Sequence, residues 1–247
     1  MHVETLGDGR PRYTILACVH GDETCGWHAF NRLKASDVTL REPIKFILAN
    51  ERAFKLGRRF CDLDLNRVMP GDASSDKHEE RLAARLYPEL KGTTVLDFHS
   101  TESRGCPYGI ITGADDASRT LARSTGLDRV VDMSYLPGGI TRSVTGVAVE
   151  CGYHDDEDAA TTAHRILLHF LRAEGVLAGD AAPSNPTLFE VTGDAEGAGY
   201  TFVGENFQRV GEGEVYARKN GSVRRADTPF YPVLMSTHGY TDRIGFK

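Results

Sequence analysis

Through its first 174 residues the chain alternates short apolar runs with stretches in which apolar residues are spaced three or four apart. The run YTILACV (13–19), bounded by Pro11 and by His20-Gly21, predicts a buried strand. Residues 24–33 carry spaced apolar positions at Trp27, Phe30 and Leu33 and predict a helix. IKFILAN, ending at Asn50, predicts a second buried strand. The segment GRRFCDLDLNRVMPG (57–71) is too charged for a core and too patterned for a linker. Asp76, followed three residues later by Glu79, predicts a capping box that opens a helix through Leu90. Further strands are predicted at TTVLDFH ending at His99, at YGIIT, at RVVDM and at TGVAVEC, with helices at 117–124 and 156–173.

Strands alternating with helices predict an α/β fold with a mixed, mostly parallel sheet flanked by helices. The composition then shifts. GVLAGDAAPSNP (175–186) reads as a linker, and the short runs LFEVTG, TFVG, EVYARKNG and FYPVLM follow, with a hairpin turn at Lys219-Asn220-Gly221-Ser222. The expected organisation is an α/β catalytic domain over 1–180 and a small all-β C-terminal domain over 186–247. No internal repeat is present.

Composition narrows the function classes. The 247 residues are 40% hydrophobic and 26% charged, which excludes a disordered chain. A formal charge of −6 supplies no basic stripe, so nucleic acid is not an expected partner. No run approaches the roughly 18 apolar residues of a membrane span, and MHVETLGDGRPR lacks the apolar core of a signal peptide. A cytoplasmic protein without a membrane partner is expected. Cys18, Cys25, Cys61, Cys106 and Cys151 are scattered and form no Cys-x-x-Cys pair, so neither a disulfide framework nor a thiolate zinc site is predicted. Cys151 reads as a packed thiol, and His154, His164 and His169 as structural or exposed.

The chemistry concentrates at strand ends. His20 and Glu23 follow the first predicted strand, His99 ends another and Glu150 ends a third. Ligand crevices in open α/β sheets lie outside the carboxyl edge, so residues far apart in sequence can converge there. Two histidines and one carboxylate suit a catalytic zinc with a position left open for water. Such an ion polarises a carbonyl and acidifies water, and a second carboxylate off the metal can carry the proton to a leaving nitrogen.

The ordered set VHGDE (19–23), RRFCDLDLNR (58–67), LDFHSTES (96–103), TRS (141–143) and VAVECG (147–152) resembles the succinylglutamate desuccinylase/aspartoacylase family of zinc carboxypeptidase-like hydrolases. The resemblance implies one Zn²⁺ per chain, held by His20, Glu23 and His99, with Glu150 as general base and acid. It implies that Arg59 polarises the scissile carbonyl, that Asn66 and Arg67 bind the substrate carboxylate, and that Arg142 grips an acidic side chain. Tyr240, in STHGYTDRIGF, is the candidate for the tyrosine that completes the substrate site, and His238 beside it reads as an exposed loop residue. Asp64 is expected to orient an arginine or the loop. The implied activity is deacylation of a small anionic N-acyl amino acid, at an amide rather than a peptide bond. A zinc carboxypeptidase acting on a peptide or peptidoglycan fragment shares the same zinc, base and carboxylate clamp. A non-catalytic zinc-containing metabolite binder has no need of Glu150. The acyl group, the amino acid and any homo-oligomer are left open by the sequence.

Overall fold

The computed structural model describes residues 1–105, 107–113, 116–154, 157–237 and 242–247. The strands are β1 (His2–Leu6), β2 (Tyr13–Ala17), β3 (Ile44–Leu48), β4 (Thr94–Thr101), β5 (Tyr108–Ile111), β6 (Arg129–Asp132), β7 (Gly146–Tyr153), β8 (Thr187–Glu190), β9 (Asp194–Glu196), β10 (Thr201–Phe202), β11 (Val215–Lys219), β12 (Ser222–Arg225) and β13 (Arg243–Phe246). The helices are α1 (Cys25–Lys34), α2 (Glu51–Leu56), α3 (His78–Leu90), α4 (Asp116–Ser124), α5 (Ile140–Ser143) and α6 (Glu157–Ala173). Among the described residues, no helix is long and apolar enough to cross a membrane.

Eight strands form one sheet in the order β1-β3-β2-β4-β7-β5-β6-β8. Five of its seven pairings are parallel; β1 with β3 and β5 with β7 are antiparallel. This is the mixed, mostly parallel sheet that the alternating pattern predicts. The central strands are apolar on both faces because both faces are covered. Ile15, Ala17, Leu96, Phe98, Val147 and Val149 pack with α1, α4 and α6 on one side. On the other side, Leu16, Ile47 and Val95 pack under α3, and Tyr108, Val131 and Met133 pack under Phe207, Val233, Leu234 and Phe246 of the C-terminal β region. Helix α3 and the C-terminal region thus cover the two ends of that face, and a cavity opens between them.

Several elements differ from their sequence expectation. β8, counted with the C-terminal β-rich region, joins the large sheet beside β6, with Leu188 opposite Val130 and Phe189 opposite Val131. FYPVLM supplies isolated bridges at Phe230 and Val233 rather than a strand. β1 has no apolar run to announce it: it is an edge strand with mostly exposed side chains. Asp76 does not cap α3. The N-cap position is Lys77, without a side-chain cap, and Glu79 serves another loop altogether. The hairpin turn is as expected: Lys219 pairs with Ser222, and Asn220 and Gly221 take φ of 47° and 82°, which two-residue turns require.

Candidate active site

Local structure brings the strand-end residues together. After β2 the chain turns through Cys18, at φ 54°, and then Gly21. A Cβ on Gly21 would lie 2.2 Å from backbone atoms of Ala53 and Phe54, so only glycine lets this turn pack against α2. The Gly21 N–H donates to the Arg59 carbonyl at 3.0 Å, which fixes the turn to the basic loop. In β4 the period of two puts Asp97 and His99 on one face. The β4–β7 register sets His99 opposite Glu150.

His20 Nδ1 lies 2.8 Å from Glu23 Oε1, and His99 Nδ1 lies 2.7 Å from Glu23 Oε2. The outer nitrogens are held as well: His20 Nε2 is 3.0 Å from Asp64 Oδ1 and His99 Nε2 is 3.0 Å from Asp97 Oδ2. Ligand atoms of His20, Glu23 and His99 all lie within 4.8 Å of one another, and all three residues are buried. Burial alone would lower the His20 pKa, but Glu23 and Asp64 outweigh it and raise it. Burial likewise opposes protonation of His99, yet Asp97 and Glu23 hold it well above its ordinary value. Glu23 is the mirror case: burial would raise its carboxyl, and His20 and His99 pull it well below the carboxylate range.

This donor set fits a divalent metal ion. If each Nε2–H donates to its aspartate, each Nδ1 presents a lone pair to a Glu23 oxygen that is also an acceptor. In that tautomer two Nδ1 lone pairs and the Glu23 carboxylate face one another, a set that a divalent cation satisfies as well as protons on the two imidazoles do. A carboxylate behind each ligating histidine is the outer arrangement that fixes tautomer and ring orientation at metal centres.

A cavity of about 440 Å³ opens beside this group, lined in part by Arg59, Asn66, Arg67, Met133, Glu150 and Leu234. Glu150 is 9% exposed, and its Oε2 makes no hydrogen bond among the described residues. Burial pushes its carboxyl up to about 7, moderated by His99. Arg59 donates to Glu23 Oε1 at 2.8 Å and lies 3.6 Å from Asp64. Asn66 is held through both its backbone and its side chain. Its N–H donates to Asp64 Oδ1 at 2.8 Å, its carbonyl accepts from Gly139 N at 2.7 Å, and its Oδ1 accepts from Ile140 N at 2.8 Å. With Oδ1 engaged, Nδ2 is the part of the amide left to donate.

Six expected residues (His20, Glu23, His99, Arg59, Asn66 and Arg67) line this one cavity together with Glu150. Arg142 does not join them. Its Nη2 donates to the carbonyls of Ser134 at 2.6 Å and Leu136 at 3.0 Å, and its side chain is exposed. Tyr240 and His238 lie outside the described residues.

Other residues of the site carry weak sequence signals. Asp97 is legible only through its i,i+2 relation to His99. His154, expected to be structural or exposed, lines the cavity, where its Nδ1 is 3.0 Å from Ser100 Oγ. Glu79 is fully buried and anchors the basic loop. It accepts from the N–H groups of Cys61 (2.7 Å), Asp62 (2.9 Å) and Leu63 (3.0 Å) and from Asn50 Nδ2 (3.0 Å). Burial would raise its carboxyl, but these donors outweigh it and lower the pKa. Cys61, His78 and Glu79 also form a ligand-type group. The four acceptor positions of the Glu79 carboxylate already meet four donors, so this group is an anchor for the loop.

A family model described as the succinylglutamate desuccinylase/aspartoacylase catalytic domain matches residues 10–134. Comparison with curated proteins returned no match. Among solved structures, the product-bound ectoine utilization protein of Ruegeria pomeroyi superposes with a TM-score of 0.78 at 19% identity, covering 99% of this chain and 86% of that one. A succinylglutamate desuccinylase/aspartoacylase from Rhodobacter sphaeroides gives 0.77 at 18% identity, with 99% and 86% covered. Murine aminoacylase 3 gives 0.74 at 17% identity, with 97% and 96% covered. These likenesses establish the zinc-carboxypeptidase-like fold. The matched segment contains His20, Glu23, Arg59, Asn66, Arg67 and His99; Arg142 and Glu150 lie beyond it.

Proposed function

Because the chain belongs to the succinylglutamate desuccinylase/aspartoacylase catalytic-domain family, we propose that it is a zinc-dependent amidohydrolase releasing the amine of a small anionic N-acyl amino acid. The observation that carries this reading is the pairing of two elements in one cavity. One is the group His20, Glu23 and His99, in which the Nδ1 atoms of both buried histidines face the two oxygens of Glu23. The other is a buried carboxyl, Glu150, with an unpartnered oxygen.

His20, Glu23 and His99 would hold one zinc ion, which when bound supplies Lewis acidity to a carbonyl oxygen and acidity to water. Glu150 Oε2 takes the proton of the attacking water and returns it to the departing nitrogen, so that the amide C–N bond breaks to give a carboxylate and a free amine. General acid–base help of this kind contributes about 10²–10⁴-fold. Arg59, on the cavity wall, meets the negative charge that develops on the carbonyl oxygen, a contribution of about 3 kcal/mol at comparable sites. Asn66 Nδ2 and the planar Arg67 guanidinium bind the substrate α-carboxylate. Asp64 and Asp97 keep the two imidazoles in register.

Amine release from N-acyl amino acids by zinc-loaded protein tests the reading, with Glu150→Gln run alongside. The expected result is turnover that falls by about 10²-fold or more in the variant while zinc content is unchanged. Full activity in Glu150→Gln, or no turnover of any N-acyl amino acid by protein with zinc bound, refutes it.

A further inference from the structure

Resting on the deacylase reading above, we infer that the amino-acid part of the substrate has a neutral, apolar side chain. It sits against the wall formed by Met133, Leu136, Pro137 and Leu234, with its one carboxylate at Asn66 and Arg67.

Charge is the first argument. An acidic side chain needs a second cation in the cavity. Among the described residues, the guanidiniums lining it are those of Arg59 and Arg67. Arg59 pairs with Glu23 and Asp64 and is taken up by the reacting carbonyl in the deacylase reading, whereas Arg67 makes only a 3.3 Å hydrogen bond to the Asn66 carbonyl and no ion pair among the described residues. Among the described residues, that leaves the Arg67 guanidinium for one carboxylate. Both hydrogens of Arg142 Nη2 are spent on the carbonyls of Ser134 and Leu136, so this side chain clasps the loop between β6 and α5 from outside the cavity. The same lining holds six carboxyl groups, those of Asp22, Glu23, Asp64, Asp97, Glu102 and Glu150, against the two guanidiniums and the two charges of the zinc ion, so it offers no surplus positive charge to a second substrate carboxylate.

Shape is the second argument. The clasped loop presents Leu136 and Pro137 to the cavity, next to Met133 and Leu234. It also reaches the carboxylate subsite, because a Cβ on Gly138 would lie 3.3 Å from Arg67 Cδ. An amino acid's carboxylate and side chain diverge from one carbon, so their subsites must adjoin, as the Arg67 and Leu136–Pro137 positions do. Burying an aliphatic or aromatic side chain here removes apolar surface from water on both partners.

The test compares kcat/KM of zinc-loaded protein for N-acyl leucine, methionine and phenylalanine with that for N-acyl aspartate and glutamate. Each amino acid is offered as its formyl, acetyl and succinyl derivative. Apolar derivatives should be preferred by about tenfold or more, the discrimination an apolar pocket gives. Arg142→Met should change both classes by the same factor, leaving their ratio within about twofold. Leu136→Arg should lower the ratio by about tenfold. Thermal stabilisation by the free amino acids supplies a readout apart from turnover, with leucine raising Tm more than aspartate. Equal rates, a preference for acidic derivatives, or a selective loss of acidic substrates in Arg142→Met overturns the inference while leaving the deacylase reading intact. Failure to hydrolyse any derivative removes that reading, and this inference with it.

Discussion

Glu79 never touches the cavity, yet the loop that carries Arg59, Asp64, Asn66 and Arg67 hangs from its carboxylate. Replacement by alanine would strip acceptors from three backbone N–H groups and from Asn50 Nδ2. Hydrogen bonds to a charged group are worth about 1.5–3 kcal/mol each, and unsatisfied buried donors cost about 1–3 kcal/mol. Asp62 is exposed and Cys61 and Leu63 are partly so, which lets water replace some of the loss. A destabilisation of about 3 kcal/mol is therefore expected for Glu79→Ala. Glu79→Gln keeps one acceptor oxygen but turns an NH₂ toward two donors, and about 2 kcal/mol is expected. Urea unfolding measures both values. Kinetics at concentrations where the protein is folded should show KM rising more than kcat falls, because Asn66 and Arg67 lose their support and Glu150, on β7, does not. The pH dependence gives an internal control. The folded Glu79 pKa lies below its ordinary value, so its contribution is fully present above the unfolded value of about 4.3 and lost as pH falls through the folded one. A protonated glutamic acid resembles glutamine, so the stability gap between the wild type and Glu79→Gln should close in acid. A Glu79→Gln protein within about 0.5 kcal/mol of the wild type at pH 7, with unchanged KM, would refute the anchoring argument.

Two more substitutions probe the frame around the site. In Gly26→Ala the new Cβ would lie 2.5 Å from Phe98 Cβ and 2.9 Å from Ala17 Cβ. Helix propensity favours alanine by about 1 kcal/mol, but overpacking costs about 1–3 kcal/mol, and a clash this close puts the cost at the upper end. Urea unfolding should show a net loss, and an unchanged or higher midpoint would mean that α1 moves off the sheet at no cost. Asp97→Asn removes the charge behind His99 while keeping the shape. Zinc affinity, read by competition with a chromophoric chelator, should fall about 10–100-fold, and an affinity within twofold of the wild type counts against Asp97 as the group that orients this histidine.

The sequence by itself determined the buried strands, the order of the elements that carry the candidate site and most of the titratable residues lining the cavity. Strand and helix periodicity depend on neighbours two to four residues away, so YTILACV, IKFILAN and TTVLDFH are legible without any fold. The carboxyl ends of those strands then locate His20, His99 and Glu150. Partner choice by long polar side chains is a different matter. Glu79 sits where a capping box would put it, yet α3 packs beside the basic loop and three amide donors there outcompete its own helix end. Arg142 stands in the expected motif, but the loop from Ser134 to Gly139 folds back and offers its guanidinium two carbonyls. His154 and Asp97 gained their roles the same way, from the β4–β7 register and the pleat. β8 paired with β6 because an open sheet edge with unpaired N–H and C=O groups lay within reach. The tertiary structure decided these points because a side chain's hydrogen-bond partner is set by which segments converge in space, and sequence distance carries no information about that.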